Sequence, residues 1–196
     1  MQRKDIPNAI CWARIALIPF VLVFLIPSPL TDAISYSVSV LISGIIFAIA
    51  MISDFVDGKI ARKFNCTSNL GKFLDPLADK ALVLSICIAF TGIDHFSAWV
   101  TWSTIIILLR ELLVTGLRLS AASKGSVVAA NWWGKVKTVL QAVTLGASFL
   151  CLFLVELYPE MDYLYHVPSV LFMITAGYTC VSAIPYIKAC APYLKG

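Results

Sequence analysis

The chain has 196 residues, of which 60% are hydrophobic and only 13% charged, and it carries a net charge of +4. With a mean hydropathy of +0.88, that much apolar surface cannot be hidden in a soluble domain of this size. The length allows about six spanning helices of roughly 20 residues with short loops, leaves no room for a separate soluble domain, and nothing in the composition suggests nucleic acid.

The expected fold is therefore an all-α integral membrane protein, one transmembrane domain over 1–196, with six transmembrane helices. The first, about 9–27, follows a short polar lead with Arg3, Lys4 and Asp5. Its basic start and apolar run look like a secretory signal. No small-residue cleavage site follows, however, and Arg14 interrupts the run, so it reads as a retained helix entered through Pro7 and Asn8. The second, about 34–62, is long enough to tilt or to project beyond the bilayer. The third, about 71–90, has Pro76 close to its start, where a missing N–H is tolerated. The rest fall near 97–121, 133–157 and 168–190. Twelve per cent aromatic residues and five tryptophans suit interfacial belts.

Loops 28–33, 91–96 and 158–167 contain no Lys or Arg, whereas the termini, 59–72 and 118–137 carry nearly all of them. The positive-inside rule then puts both termini and the loops around 63–70 and 121–132 in the cytoplasm, on the inner side of a multi-pass membrane protein. That basic face suits the headgroups of anionic membrane lipids and phosphorylated substrates. His95 and His166 fall on the outer side, away from the acidic residues considered next. The six cysteines form no C-x-x-C pair and no metal spacing, and most lie in spanning segments as small hydrophobes.

Residues 54 to 79 are the unusual stretch. Asp54-Phe55-Val56-Asp57-Gly58-Lys59-Ile60-Ala61-Arg62 is followed eight residues later by Gly71-Lys72-Phe73-Leu74-Asp75-Pro76-Leu77-Ala78-Asp79. A carboxylate at membrane depth costs several kcal/mol and is kept only where something compensates it. On helices, Asp54, Asp57, Ala61 and Arg62 share one region at i, i+3, i+7 and i+8, and Gly71, Asp75 and Asp79 repeat at i, i+4 and i+8. Two helices joined by a short loop would aim four aspartates at one point. Their mutual repulsion calls for a hard divalent cation, and oxygen-only ligands suit Mg²⁺ or Mn²⁺. Gly58, Ala61 and Gly71 leave open space beside the acids, and Arg62 offers a planar fork for phosphate. Together these describe a site for a diphosphate ester. The plain alternative is a set of intramembrane salt bridges, such as Asp79 with Lys80 or Arg110; it leaves the small residues without a task.

This pattern, Asp-x2-Asp-Gly-x2-Ala-Arg-x8-Gly-x3-Asp-x3-Asp, resembles the full motif of the CDP-alcohol phosphatidyltransferases at every fixed position. The resemblance implies that Asp54, Asp57 and Asp75 bind metal ions holding the donor's diphosphate. It makes Asp79 the general base, also close to the metal, and sets Asp54, Asp57, Gly58, Ala61, Arg62 and Gly71 around CDP-diacylglycerol.

A second set of polar residues lies downstream. Arg110 and Glu111 interrupt an apolar helix, and Arg118 follows two turns later on roughly the same face. Asn131-Trp132-Trp133-Gly134-Lys135-Val136-Lys137-Thr138 opens the fifth segment, a helix start suited to an anion. Lys124 reads as an ordinary lipid anchor. These stretches, with Ile6-Pro7-Asn8, Arg14 and Ile18-Pro19-Phe20, resemble the bacterial phosphatidylglycerophosphate synthase branch of the family over about residues 6–140. Cys11 departs from it, standing where threonine is common.

That resemblance implies CDP-diacylglycerol as donor and sn-glycerol 3-phosphate as acceptor. Arg110, Arg118 and Lys135 would hold the acceptor's phosphate, and Asn8, Arg14, Glu111 and Lys137 are further candidate site residues. It also implies a homodimer in the bacterial inner membrane. Within the family, cardiolipin synthase and inositol-phosphate transferase share the same motif. An ion-coupled transporter, from another class, would use intramembrane carboxylates as a relay, and neither the internal repeat nor the broken helices common in transporters are evident.

Overall fold

The computed structural model describes the backbone of residues 6–29, 31–64, 69–94, 96–123 and 132–194, and side chains within 12–53, at 78, and within 80–122 and 132–190. Six α-helices run α1 Ile6–Leu25, α2 Tyr36–Phe64, α3 Asn69–Thr91, α4 Ala98–Ser123, α5 Trp132–Leu157 and α6 His166–Leu194. They fall on the apolar segments, with ends shifted by a few residues. No strand occurs among the described residues.

Two elements differ from that expectation. The connection before α6 is a 3₁₀ helix, Pro159–Tyr165, with Pro at its start and Glu160 and Asp162 in its first turn, where acidic side chains complement free N–H groups. And α3 begins at Asn69, which moves Pro76 from the helix start into the second turn. There its missing N–H leaves the carbonyl of Lys72 without the usual helical partner.

Neighbouring helices close into a ring in the order α1, α2, α5, α6, α4, α3 and back to α1, and α3 also touches α5 across the middle. The ring's surface is apolar. Ile45, Ile49, Ile52, Leu109, Leu112, Val139 and Ile184 are all exposed, an inside-out pattern that a bilayer, and not water, accommodates. Trp12 and Trp132 lie near the bundle end that carries the 64–69 connection, and Trp99 and Trp102 near the other, all exposed, as two interfacial belts require. The chain is an all-α membrane protein. Among the described residues three stretches are long and apolar enough to cross a bilayer: Tyr36–Ser53, Trp132–Leu157 and Pro159–Cys190. In α4 the run is broken by Arg110, Glu111 and Arg118.

The interior divides in two. At the end away from the 64–69 connection, Phe90 packs edge-on against Phe149 at 5.0 Å and Phe172 at 6.3 Å, and stacks on Phe96 at 5.5 Å. Gly44 lets α2 come close there, since a Cβ on it would sit 3.4 Å from that of Phe149. Further along, hydroxyl groups join helices: Thr144 and Thr175 share a hydrogen bond of 2.6 Å between α5 and α6, and Ser43 donates to the carbonyl of Val21 at 2.8 Å. The opposite half of the interior is ionic.

Candidate active site

Helix α2 ends at Phe64 and α3 begins at Asn69, so the C-terminal turns of α2, carrying Asp54 and Asp57, and the N-terminal turns of α3, carrying Asp75 and Asp79, stand at the same end of the bundle. The side chains of Asn8, Asp54, Asp57, Gly58, Ala61, Arg62, Gly71, Asp75 and Asp79 lie outside the described residues, as do His95 and Lys124. The donor set itself is four carboxylates on two adjoining helix ends, and its chemistry fits a hard divalent cation. Among the described residues no group of three or more His, Cys, Asp or Glu side chains could hold a metal.

Antiparallel connection brings three more segments to this half: the C-terminal half of α4, the N-terminal half of α5 and the C-terminal half of α6. Between them and α3 lies a cavity of about 230 Å³. Its walls include Lys80 of α3, Arg110, Glu111 and Arg118 of α4, Lys135 and Lys137 of α5, and Tyr186 of α6. The three cations expected to act together, Arg110, Arg118 and Lys135, therefore share one cavity. Lys80, next in the chain after Asp79, opens onto it as well. Arg14 is buried on α1 and does not line it.

The cations fall into two groups. Arg110 and Lys137 are buried, and both donate to Oε1 of Glu111, Arg110 from Nη1 at 3.1 Å. Lys80 approaches the other oxygen, Oε2, at 3.8 Å and donates to the hydroxyl of Thr115, which donates in turn to the carbonyl of Glu111 at 2.7 Å. One carboxylate, 4% exposed, thus offsets three positive charges from three helices. Such a cluster is tolerable only if its remaining donors are also satisfied. Arg110 meets that condition on α6: Nε donates to the carbonyl of Thr179 at 3.0 Å, Nη2 to the hydroxyl of Ser182 at 2.7 Å, and its guanidinium lies 5.9 Å from the centre of the Tyr186 ring. Arg110 is accordingly a clamp between α4 and α6 as much as a candidate ligand.

Arg118 and Lys135 form the second group. Both are exposed at the cavity, and neither makes an ion pair within the described residues. Among the described residues five cations face one carboxylate in this cavity, a positive lining suited to an anion carrying more than one charge.

Lys80, Gln141, Thr179, Ser182 and Tyr186 were not legible as site residues. Gln141 carries a faint signal, one helical turn after Lys137 and on its face. Lys80 follows Asp79 directly. The α6 residues have none, because only the packing of α4 on α6 gives them a task.

The family profile for CDP-alcohol phosphatidyltransferase matches residues 4–182. The chain belongs to that family.

Relatives of this phosphatidyltransferase family member include proteins named CDP-diacylglycerol–glycerol-3-phosphate 3-phosphatidyltransferase. That of Bacillus subtilis is 46% identical over 152 residues, covering 74% of this chain and 77% of its own. That of Haemophilus influenzae is 34% identical over 190 residues, covering 95% and 94%, and that of Salmonella typhimurium 39% identical over 145 residues, covering 72% and 75%. The Haemophilus match runs through α5 and α6, so the likeness extends beyond the motif to the segments that build the cavity. Membership sets the chain among transferases, and the ion-coupled transporter reading falls away.

Proposed function

We propose that this chain transfers the phosphatidyl group of CDP-diacylglycerol to the primary hydroxyl of sn-glycerol 3-phosphate, giving phosphatidylglycerophosphate and CMP. The observation that carries the reading is the positive cavity adjoining the motif's helix end, with Arg118 and Lys135 exposed in it and without an ion pair among the described residues. An acceptor that bears a phosphate needs such a place, because four aspartates and the donor's diphosphate would otherwise repel it.

In the proposed reaction the acceptor hydroxyl attacks the phosphatidyl phosphorus, the bond to CMP breaks, and Asp79 takes the hydroxyl proton. Mg²⁺ or Mn²⁺, held by Asp54, Asp57, Asp75 and Asp79, would supply positive charge to the diphosphate. Gly58, Ala61 and Gly71 would leave room for the cytidine nucleotide and Arg62 would contact its phosphates. Arg118 and Lys135 would hold the acceptor phosphate directly, and Arg110 from the cavity wall. Glu111 and Lys137 would fix that wall, and Asn8 and Arg14 would support α1.

All six helices would span a bacterial inner membrane, with both termini and the active site cytoplasmic, as the distribution of basic residues requires. A single cysteine at position 124 that is labelled from outside intact cells would reject that orientation. The working unit would be a homodimer, and a monomer mass for the active, detergent-solubilised protein would count against it.

Purified protein with CDP-diacylglycerol, Mg²⁺ and a panel of acceptors tests the main reading by CMP release. Release with glycerol 3-phosphate, and far less with inositol phosphate or phosphatidylglycerol, is expected. Equal use of either rival would overturn the acceptor assignment.

A further inference from the structure

Among the described residues lining the cavity, one buried uncharged polar group stands outside the charge arrangement. Gln141 of α5 is 4% exposed, lines the cavity, and its amide nitrogen has no hydrogen-bond partner among the described residues. The neighbouring polar groups are engaged: Arg110 and Lys137 with Glu111, Lys80 with Thr115, and the hydroxyl of Thr138 with the carbonyl of Gly134 at 3.2 Å. A buried amide donor left unpaired opposes folding unless a ligand or an ordered water completes it. We propose that Gln141 reads the secondary hydroxyl of the acceptor and is a specificity-determining residue of this cavity.

Three considerations lead to a hydroxyl. The cavity already supplies cations for a phosphate, and a neutral amide adds little to them. A phosphate oxygen only accepts hydrogen bonds, whereas a hydroxyl both donates and accepts, so it pairs with either end of a glutamine amide. And the hydroxyl that reacts must stay open to attack and lose its proton, which leaves the hydroxyl between it and the phosphate for a fixed partner. Gln141 is suited to fixing it, because it sits on a helix wall whose neighbouring turn is pinned through Lys137 to Glu111 of α4.

This inference rests on the proposed glycerol phosphate transfer, and its test separates the two. CMP release is measured with sn-glycerol 3-phosphate and with 3-hydroxypropyl phosphate, which keeps the phosphate and the primary hydroxyl but lacks the secondary one. A site built to bind a hydroxyl discriminates against the analogue without it. The wild type should favour glycerol 3-phosphate by about tenfold or more in kcat/KM, as expected for one buried hydrogen bond whose partner would be left unpaired. In Gln141→Leu that preference should fall to near one, through a higher KM for glycerol 3-phosphate, with turnover of 3-hydroxypropyl phosphate and the KM for CDP-diacylglycerol unchanged. Gln141→Met, which keeps length and volume, replaces it if the leucine variant does not fold. A folded variant that retains the preference, or a wild type that shows none, overturns the assignment of Gln141 while leaving the transfer reaction standing. A wild type that releases no CMP with either acceptor overturns the proposed function itself.

Discussion

The two halves of the bundle interior are held by different physics. Around Phe90 the helices meet through rings and aliphatic side chains with no charge among them. Around Glu111 they meet through one carboxylate, three cations and a hydroxyl network. In lipid, apolar packing alone gains little from expelling water, so close fit and dispersion must supply the association at the aromatic end. At the ionic end the contacts are stronger and more directional, but each leaves a costly remainder if its partner is removed. An enzyme whose chemistry sits at one end of a bundle can therefore be stabilised at the other without disturbing the site, and the two ends should respond differently to substitution.

The sharpest separation of stability from chemistry should come from the motif. Asp57→Asn and Asp75→Asn each remove a charge that a bound divalent cation needs. CMP release should fall on the order of a thousandfold, comparable with losing a main electrostatic stabiliser of a transition state, while the melting temperature in detergent barely moves. Activity should vanish in EDTA and return with Mg²⁺ or Mn²⁺. Full activity in chelator would remove the metal from the account.

How far this division could be read beforehand follows from the interactions involved. The helices were legible because a bilayer demands long apolar runs, and the motif because its acids and glycines keep fixed spacing within two helices. Arg110, Arg118 and Lys135 could be grouped as unassigned cations, and they do line one cavity. What could not be read was who neutralises whom. Lys80 and Arg110, which the salt-bridge alternative pairs with Asp79, both engage Glu111, 31 residues beyond Lys80 and next to Arg110 itself, while the side chain of Asp79 lies outside the described residues. The role of Thr179, Ser182 and Tyr186 depends on α6 packing against α4, which no spacing within one helix encodes.

Next in size is Glu111→Gln. It leaves Arg110 and Lys137 buried with no opposing charge, and breaking one side of a buried ion cluster costs about 3–5 kcal/mol. The loss should appear as a lower unfolding midpoint in detergent. A double substitution, Glu111→Gln with Lys137→Met, should recover part of it, because one uncompensated charge is then gone. No recovery would mean that Glu111 is held by something other than these cations. Phe90→Ala makes the matching change at the aromatic end. Its ring is wholly buried among Phe96, Phe149 and Phe172, and the cavity left behind should cost on the order of 3 kcal/mol. Here kcat and both KM values at a permissive temperature should stay near wild type. A change in acceptor KM would show that the two ends are coupled, against the separation drawn above.

The smallest effect is expected where a residue contributes to binding and almost nothing to folding. Arg118 is exposed, lines the cavity and makes no ion pair within the described residues, so Arg118→Ala removes no structural contact of the kind that Arg110 makes with α6. Its loss should be felt only when a charged acceptor arrives. A charge-assisted contact to phosphate is worth roughly twice a neutral hydrogen bond, and a guanidinium can make it through two N–H groups. The acceptor KM should therefore rise tenfold or more, on the order of 1.5–3 kcal/mol, while the KM for CDP-diacylglycerol and the unfolding midpoint hold. Arg118→Lys should recover only part of the loss, since an ammonium keeps the charge but not the fork. If Arg118→Ala instead weakened the donor and spared the acceptor, Arg118 would belong to the diphosphate side. The cavity would then hold its acceptor through Lys135 and the clamped Arg110 alone.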